Sequence, residues 1–91
     1  MNPAQKEAMQ YAVNKGVMWL DETIPDWRKR INVRTLYMES CRSCVIGQLF
    51  GDYFVFEKIH SSAFMLEHGF TDVNMNWFEL DNAWKKVLNK S

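Results

Sequence analysis

Gly51-Asp-Tyr-Phe-Val-Phe-Glu-Lys-Ile-His60 is the stretch that decides between an all-helical chain and one containing a sheet. Tyr53, Phe54, Val55 and Phe56 have the aromatic and β-branched make-up of a strand. The run passes into Glu57-Lys58-Ile59 without a turn signal, however, and periodicity alone does not separate a short buried strand from a buried helix. The missing turn favours a buried helix, with Gly51-Asp52 as the break before it.

Upstream of that break, Ser40 is the expected N-cap of a helix running to about Phe50, with Cys41, Cys44, Val45 and Leu49 on one face. Downstream, Ser61 or Ser62 caps a short helix ending near His68. Gly69 then stands where a left-handed cap belongs, and Phe70 supplies its hydrophobic contact. The final helix opens at Asn76, with Glu79 three residues on in a capping-box arrangement. Trp77, Leu80, Trp84, Val87 and Leu88 line one of its faces, and Lys85, Lys86 and Lys90 crowd its negative dipole end.

Toward the N-terminus, Pro25 opens a short helix to about Ile31, in which Trp27 and Ile31 face inward together. In residues 32–39, Val33, Leu36 and Met38 fit either a short strand or an irregular core-covering loop, and the loop is the preferred reading. The first helix spans about Pro3 to Asp21, with Asn2 as N-cap and Pro3 at the first position, where a missing N–H costs nothing. Met9, Ala12, Val13, Val17 and Leu20 form its apolar stripe. Gly16 interrupts that stripe at a cost of about 1 kcal/mol against Ala, which points to close packing there. The fold class that results is mostly all-α: a single domain over residues 1–91, built as a compact bundle of about four to five short helices.

The composition agrees. Four Trp and six Phe in 91 residues give a dense core and argue against disorder. Eleven basic and eleven acidic residues cancel, so there is no general pull toward nucleic acid or an anionic membrane. A neutral total also leaves self-association unopposed, which makes a homodimer a fair expectation. No apolar run reaches the roughly 18 residues of a membrane span. The start of the chain lacks a basic region followed by an apolar one, so no secretory signal is expected. Two Cys do not make a secreted disulfide framework, and a reducing cytoplasm is the expected location.

Candidate chemistry is sparse. Cys41-Arg42-Ser43-Cys44 is the one C-x-x-C, and at a helix N-terminus the dipole lowers a thiol pKa. A thioredoxin-like reading needs a βαβ context that the chain lacks. Zinc would need two more ligands, from His60 and His68 or from a second subunit, and the C-x2-C-x15-H-x7-H spacing overshoots the usual pattern. Packing of Cys41 and Cys44 as two small buried hydrophobes is preferred to zinc, and zinc to redox chemistry, so no cofactor is expected.

Arg28, Lys29, Arg30 and Arg34 form a basic cluster beside Trp27, a pattern that can serve nucleic acid. Asp21, Glu22 and Asp26 lie just before it, and a solvated face is the preferred reading. A helix-turn-helix over residues 42–60 fits Gly47 and Gly51 but puts Glu57 where a buried apolar residue belongs, so that motif fails. No phosphate loop, nucleophile elbow or H-E-x-x-H occurs. A Cys44–His60 dyad is the remaining catalytic pairing, and an enzyme is not the expected class.

Several segments together resemble a family of small proteins encoded by phages and prophages. They are Gly16-Val-Met-Trp-Leu-Asp-Glu, Pro25-Asp-Trp, Ile31-Asn-Val-Arg-Thr-Leu-Tyr-Met, Cys44-Val-Ile-Gly-Gln-Leu-Phe-Gly-Asp-Tyr, Glu67-His-Gly-Phe and Leu80-Asp-Asn-Ala-Trp. The likeness covers most of the chain and is most specific at Cys44 to Gly51; it departs at Arg28-Lys29-Arg30. It carries no site residue across. It implies a bacterial host cytoplasm and a small accessory protein that binds a host or phage protein, for instance a defence antagonist or an inhibitor of a host enzyme. The expected function is therefore protein–protein binding. A nucleic-acid-associated protein using the basic cluster, and a zinc or redox module on Cys41 and Cys44, are the alternatives.

Overall fold

A computed structural model describes residues 1–89. They form six helices: α1 (Pro3–Thr23), α2 (Trp27–Arg30), α3 (Val45–Phe50), α4 (Tyr53–His60), α5 (Ser62–Glu67) and α6 (Trp77–Asn89). No strand occurs among the described residues, so the all-helical class holds, with α2 no more than a single turn. Lys90, expected at the dipole end of α6, lies outside the described residues.

The caps explain most boundaries. Asn2 and Gln5 exchange side-chain bonds with each other's backbone N–H at the start of α1, a complete capping box. Asp52 decides the ambiguous aromatic run. Its carboxylate accepts the N–H groups of Phe54 at 2.8 Å and Val55 at 3.2 Å, satisfying donors that a nascent helix leaves open. Residues 53–60 are thus helical, but α4 is not the buried helix the sequence suggests. Eight residues seat only one face, and Phe56 alone is buried.

Two other starts differ from expectation. The helix placed from Ser40 begins four residues later, at Cys44, whose Sγ accepts the Gly47 N–H at 3.2 Å. The Ser40 hydroxyl is used in a preceding turn, where it accepts from Arg42 and Ser43. The Cys41 carbonyl turns away to accept the N–H of Tyr53, and so fixes the start of α4. At α6, the Asn76 N–H that a capping box would give to Glu79 goes to the Asp72 carboxylate at 2.9 Å.

α1 packs against α5 and α6, α4 against α3 and α5, and α2 against α3. Trp84 is the centre of the core and fully buried. It stacks on Phe70 at 5.7 Å, meets Trp27 edge-on at 6.0 Å, and donates its indole N–H to the Gly69 carbonyl at 2.7 Å. Gly69 has φ +68° and closes α5 in a Schellman motif, its N–H bonding to Leu66 and that of Phe70 to Met65. At Gly16 a Cβ would overlap the His68 carbonyl oxygen, so α5 ends directly against α1, as the interrupted stripe predicts.

The covering loop 32–39 is held from α6. Asp81 is buried, and its carboxylate accepts the Met38 N–H at 2.6 Å across 43 residues of chain. Leu36 and Met38 are thereby fixed in the core.

Candidate functional site

α4 is the element whose surroundings are least settled by the core. Successive residues turn about 100° around a helix. Phe56 therefore points inward, with Tyr53 and His60 half-buried beside it, while Val55 and Ile59 fall on one flank and Phe54 and Glu57 on the other. Each flank borders a concavity.

The first concavity, about 320 Å³, lies between α1 and α4 and is bounded by Trp19, Thr23, Phe50, Val55, Phe56, Ile59 and His60. None of these is Asp, Glu, Lys or Arg. Its floor is an aromatic cluster centred on Trp19, whose ring lies 5.3 Å from Phe64, 5.9 Å from Phe56 and 5.8 Å from His60. Phe50, Val55 and Ile59 stand at the rim, 42%, 60% and 76% exposed. A single exposed apolar side chain is ordinary, but several grouped around an apolar floor mark a contact surface.

The second concavity, about 260 Å³, lies on the other flank. Met38, Glu39, Ser40 and Cys41 come from the covering loop and the turn after it, Tyr53, Phe54 and Glu57 from α4, Phe70 and Thr71 from the segment leading into α6, and Trp77 from the first position of α6. Glu57 accepts from Tyr53 Oη at 3.4 Å and Ser62 Oγ at 3.3 Å, and Glu39 accepts from Tyr37 Oη at 2.8 Å. Burial, with a smaller contribution from Glu57, raises the Tyr53 phenol pKa against the opposing effect of a Thr71 hydrogen bond.

The two cysteines do not share a helical face. Cys41 sits in the turn and is partly exposed, whereas Cys44 is fully buried. Burial pushes the Cys44 thiol pKa up, against hydrogen bonds from Gly47 and neighbouring backbone groups. A raised pKa disfavours the thiolate that nucleophilic or redox chemistry needs. His60 stacks on Phe56 at 4.1 Å, and His68 on Phe64 at 4.0 Å with Nδ1 2.8 Å from the Phe64 carbonyl oxygen. The grouping of Cys41, Cys44, His60 and His68 considered for zinc is not assembled. Among the described residues no three His, Cys, Asp or Glu side chains are placed to hold a metal ion.

The basic cluster is divided. Arg28 forms an ion pair with Asp21 and lies over the Trp27 ring, 4.7 Å from its centroid. Trp27 is fully buried and donates its indole N–H to Asp21 at 2.8 Å, so its ring is not free to stack on a base. Lys29, Arg30 and Arg34 are exposed, and Arg28 alone of the four borders the broad depression of about 620 Å³ between α1 and α6.

The exposed flank of α4 is the feature that sequence reasoning missed. The signal was present: Asp52 as N-cap fixes the register in which Val55 and Ile59 fall together, four apart. Among the described residues no helix is long and apolar enough to cross a membrane. Comparison with family models, with curated proteins and with solved structures gives no match, which leaves the two flanks of α4 to carry the functional reading.

Proposed function

We propose that this chain acts as a binding protein rather than an enzyme, and that it holds a protein partner on the Val55–Ile59 flank of α4. The observation behind this reading is the uncharged rim of Phe50, Val55 and Ile59 around a floor formed by Trp19 and Phe56. Apolar side chains of a partner, entering between the rim residues, would lose water on both sides. Buried aromatic anchors of this kind carry most of the energy of protein interfaces. The resemblance to phage-encoded proteins makes a bacterial host protein, or another phage protein, the natural partner in a host cytoplasm. A second copy of this chain is the alternative occupant.

Capture from bacterial host lysate by the parent protein, by Ile59→Glu and by Lys29→Glu/Arg30→Glu tests the assignment. Ile59 is exposed, so Ile59→Glu should change folding stability by no more than about 0.5 kcal/mol. It should nonetheless lose the captured partner, while the double charge reversal keeps it. Loss of the partner with the charge reversal and retention with Ile59→Glu would move the function to the basic cluster. Light scattering on the purified parent protein separates a homodimer from a monomer awaiting another partner.

A further inference from the structure

The opposite flank of α4 has different chemistry, and its role is independent of partner binding at Val55 and Ile59. Tyr53, Phe54 and Trp77 border the 260 Å³ pocket, with Phe70 buried beneath. The Tyr53 and Phe54 rings are 5.4 Å apart and stand edge to face at 89° to each other. Glu39 and Glu57 are the charged residues of the lining, and no Lys, Arg or His borders the pocket. Among the described residues neither carboxylate has an ionic partner, although the chain carries as many cationic side chains as acidic ones.

Aromatic faces present negative charge density to a group lying over them, and carboxylates at the edge add to that field. An anion would be repelled here. A neutral apolar group would dehydrate the surface beside two carboxylates without supplying an opposite charge. A cation with a soft, weakly hydrated surface satisfies both parts of the lining. The volume is below the roughly 300–1,000 Å³ of sites that enclose whole drug-sized molecules, and suits a head group or the end of one side chain.

We propose that this pocket binds an organic cation, an ammonium or guanidinium head, held against Tyr53, Phe54 and Trp77 and neutralised by Glu39 and Glu57. Such a head can belong to a small free amine or to a Lys or Arg side chain of a peptide. The two sources share the chemistry and differ in what lies beyond the head.

The test is titration of the full chain, followed by the Trp77 indole and Tyr53 amide NMR signals at constant ionic strength. The probes are tetramethylammonium, its neutral isostere neopentyl alcohol, and blocked arginine and lysine peptides. Tetramethylammonium or a cationic peptide should give saturable shifts confined to the pocket, and neopentyl alcohol should bind at least about tenfold more weakly. Tighter binding of the peptides than of tetramethylammonium would identify a side chain as the source, and the reverse a free amine. Phe54 is 58% exposed, so Phe54→Ala should leave the thermal melt unchanged while weakening the cation about fivefold or more. Glu57→Gln retains an acceptor for Tyr53 and Ser62 and should weaken the cation without weakening neopentyl alcohol. Absence of saturation with every cation, equal binding of the isostere, or unchanged affinity in both variants would overturn the assignment.

Discussion

Gly16→Ala sets two physical effects against each other, and the structure decides which wins. In an open helix the change stabilises by about 1 kcal/mol, because Gly has more backbone entropy to lose. Here the new Cβ would fall on the His68 carbonyl oxygen, with Trp84 Cη2 at 3.0 Å and Cζ2 at 3.1 Å. None of these atoms can easily withdraw. His68 is the residue before Gly69, and Gly69 is itself so close to α1 that a Cβ there would lie 2.7 Å from the backbone of Val13. Trp84 is held by its 2.7 Å bond to Gly69 and by the Phe70 stack.

A methyl group therefore has to displace the end of α5 as a unit. Overpacking of a well-filled core costs about 1–3 kcal/mol, and a backbone obstacle belongs at the upper end of that range. Subtracting the propensity gain leaves a net loss of about 2 kcal/mol. For a domain of this size that lowers the melting temperature by roughly 8–15 °C. Urea unfolding followed by tryptophan fluorescence, with circular dichroism as a second probe, measures it. A Gly16→Ala protein as stable as the parent, or more stable, would refute the close approach of α1 and α5.

Two further outcomes concern side chains that tie distant segments together. Asp81→Ala leaves the Met38 N–H without its acceptor and should cost about 1–3 kcal/mol in urea unfolding, whereas Asp81→Asn, which keeps an acceptor oxygen, should cost clearly less. Asp21 has its pKa lowered, chiefly by the Trp27 hydrogen bond, which outweighs the opposing desolvation, with a smaller lowering from Arg28. Its contribution is thus complete above the ordinary carboxylate value of 3.8 and lost as pH falls through the lower folded-state value. Asp21→Asn should remove that part of the acid dependence and leave the rest of the pH profile unchanged; an identical acid limb in both proteins would refute it.

The helical class and most of the boundaries are legible in the order of residues, because the relevant signals are local. Asn2-Pro3, Gly69-Phe70 and the Trp84–Leu88 stripe work within one or two turns of backbone, and each is complete in the order of the chain. The first misplacement came where a local signal had two uses: the Ser40 hydroxyl can cap a helix or close a turn, and only the demand of Tyr53 for the Cys41 carbonyl selects the turn. The four residues Cys41, Cys44, His60 and His68 do not come together within the described chain for a related reason. Spacing along the chain says nothing of whether His60 and His68 are taken up by Phe56 and Phe64. Only the packing of the helices shows that Gly16 meets the end of α5, that Asp81 secures a loop 43 residues away, and that α4 exposes one flank of apolar side chains and another of aromatics and carboxylates. Each depends on which elements meet in space, and an eight-residue helix carries apolar residues on more sides than its neighbours can cover.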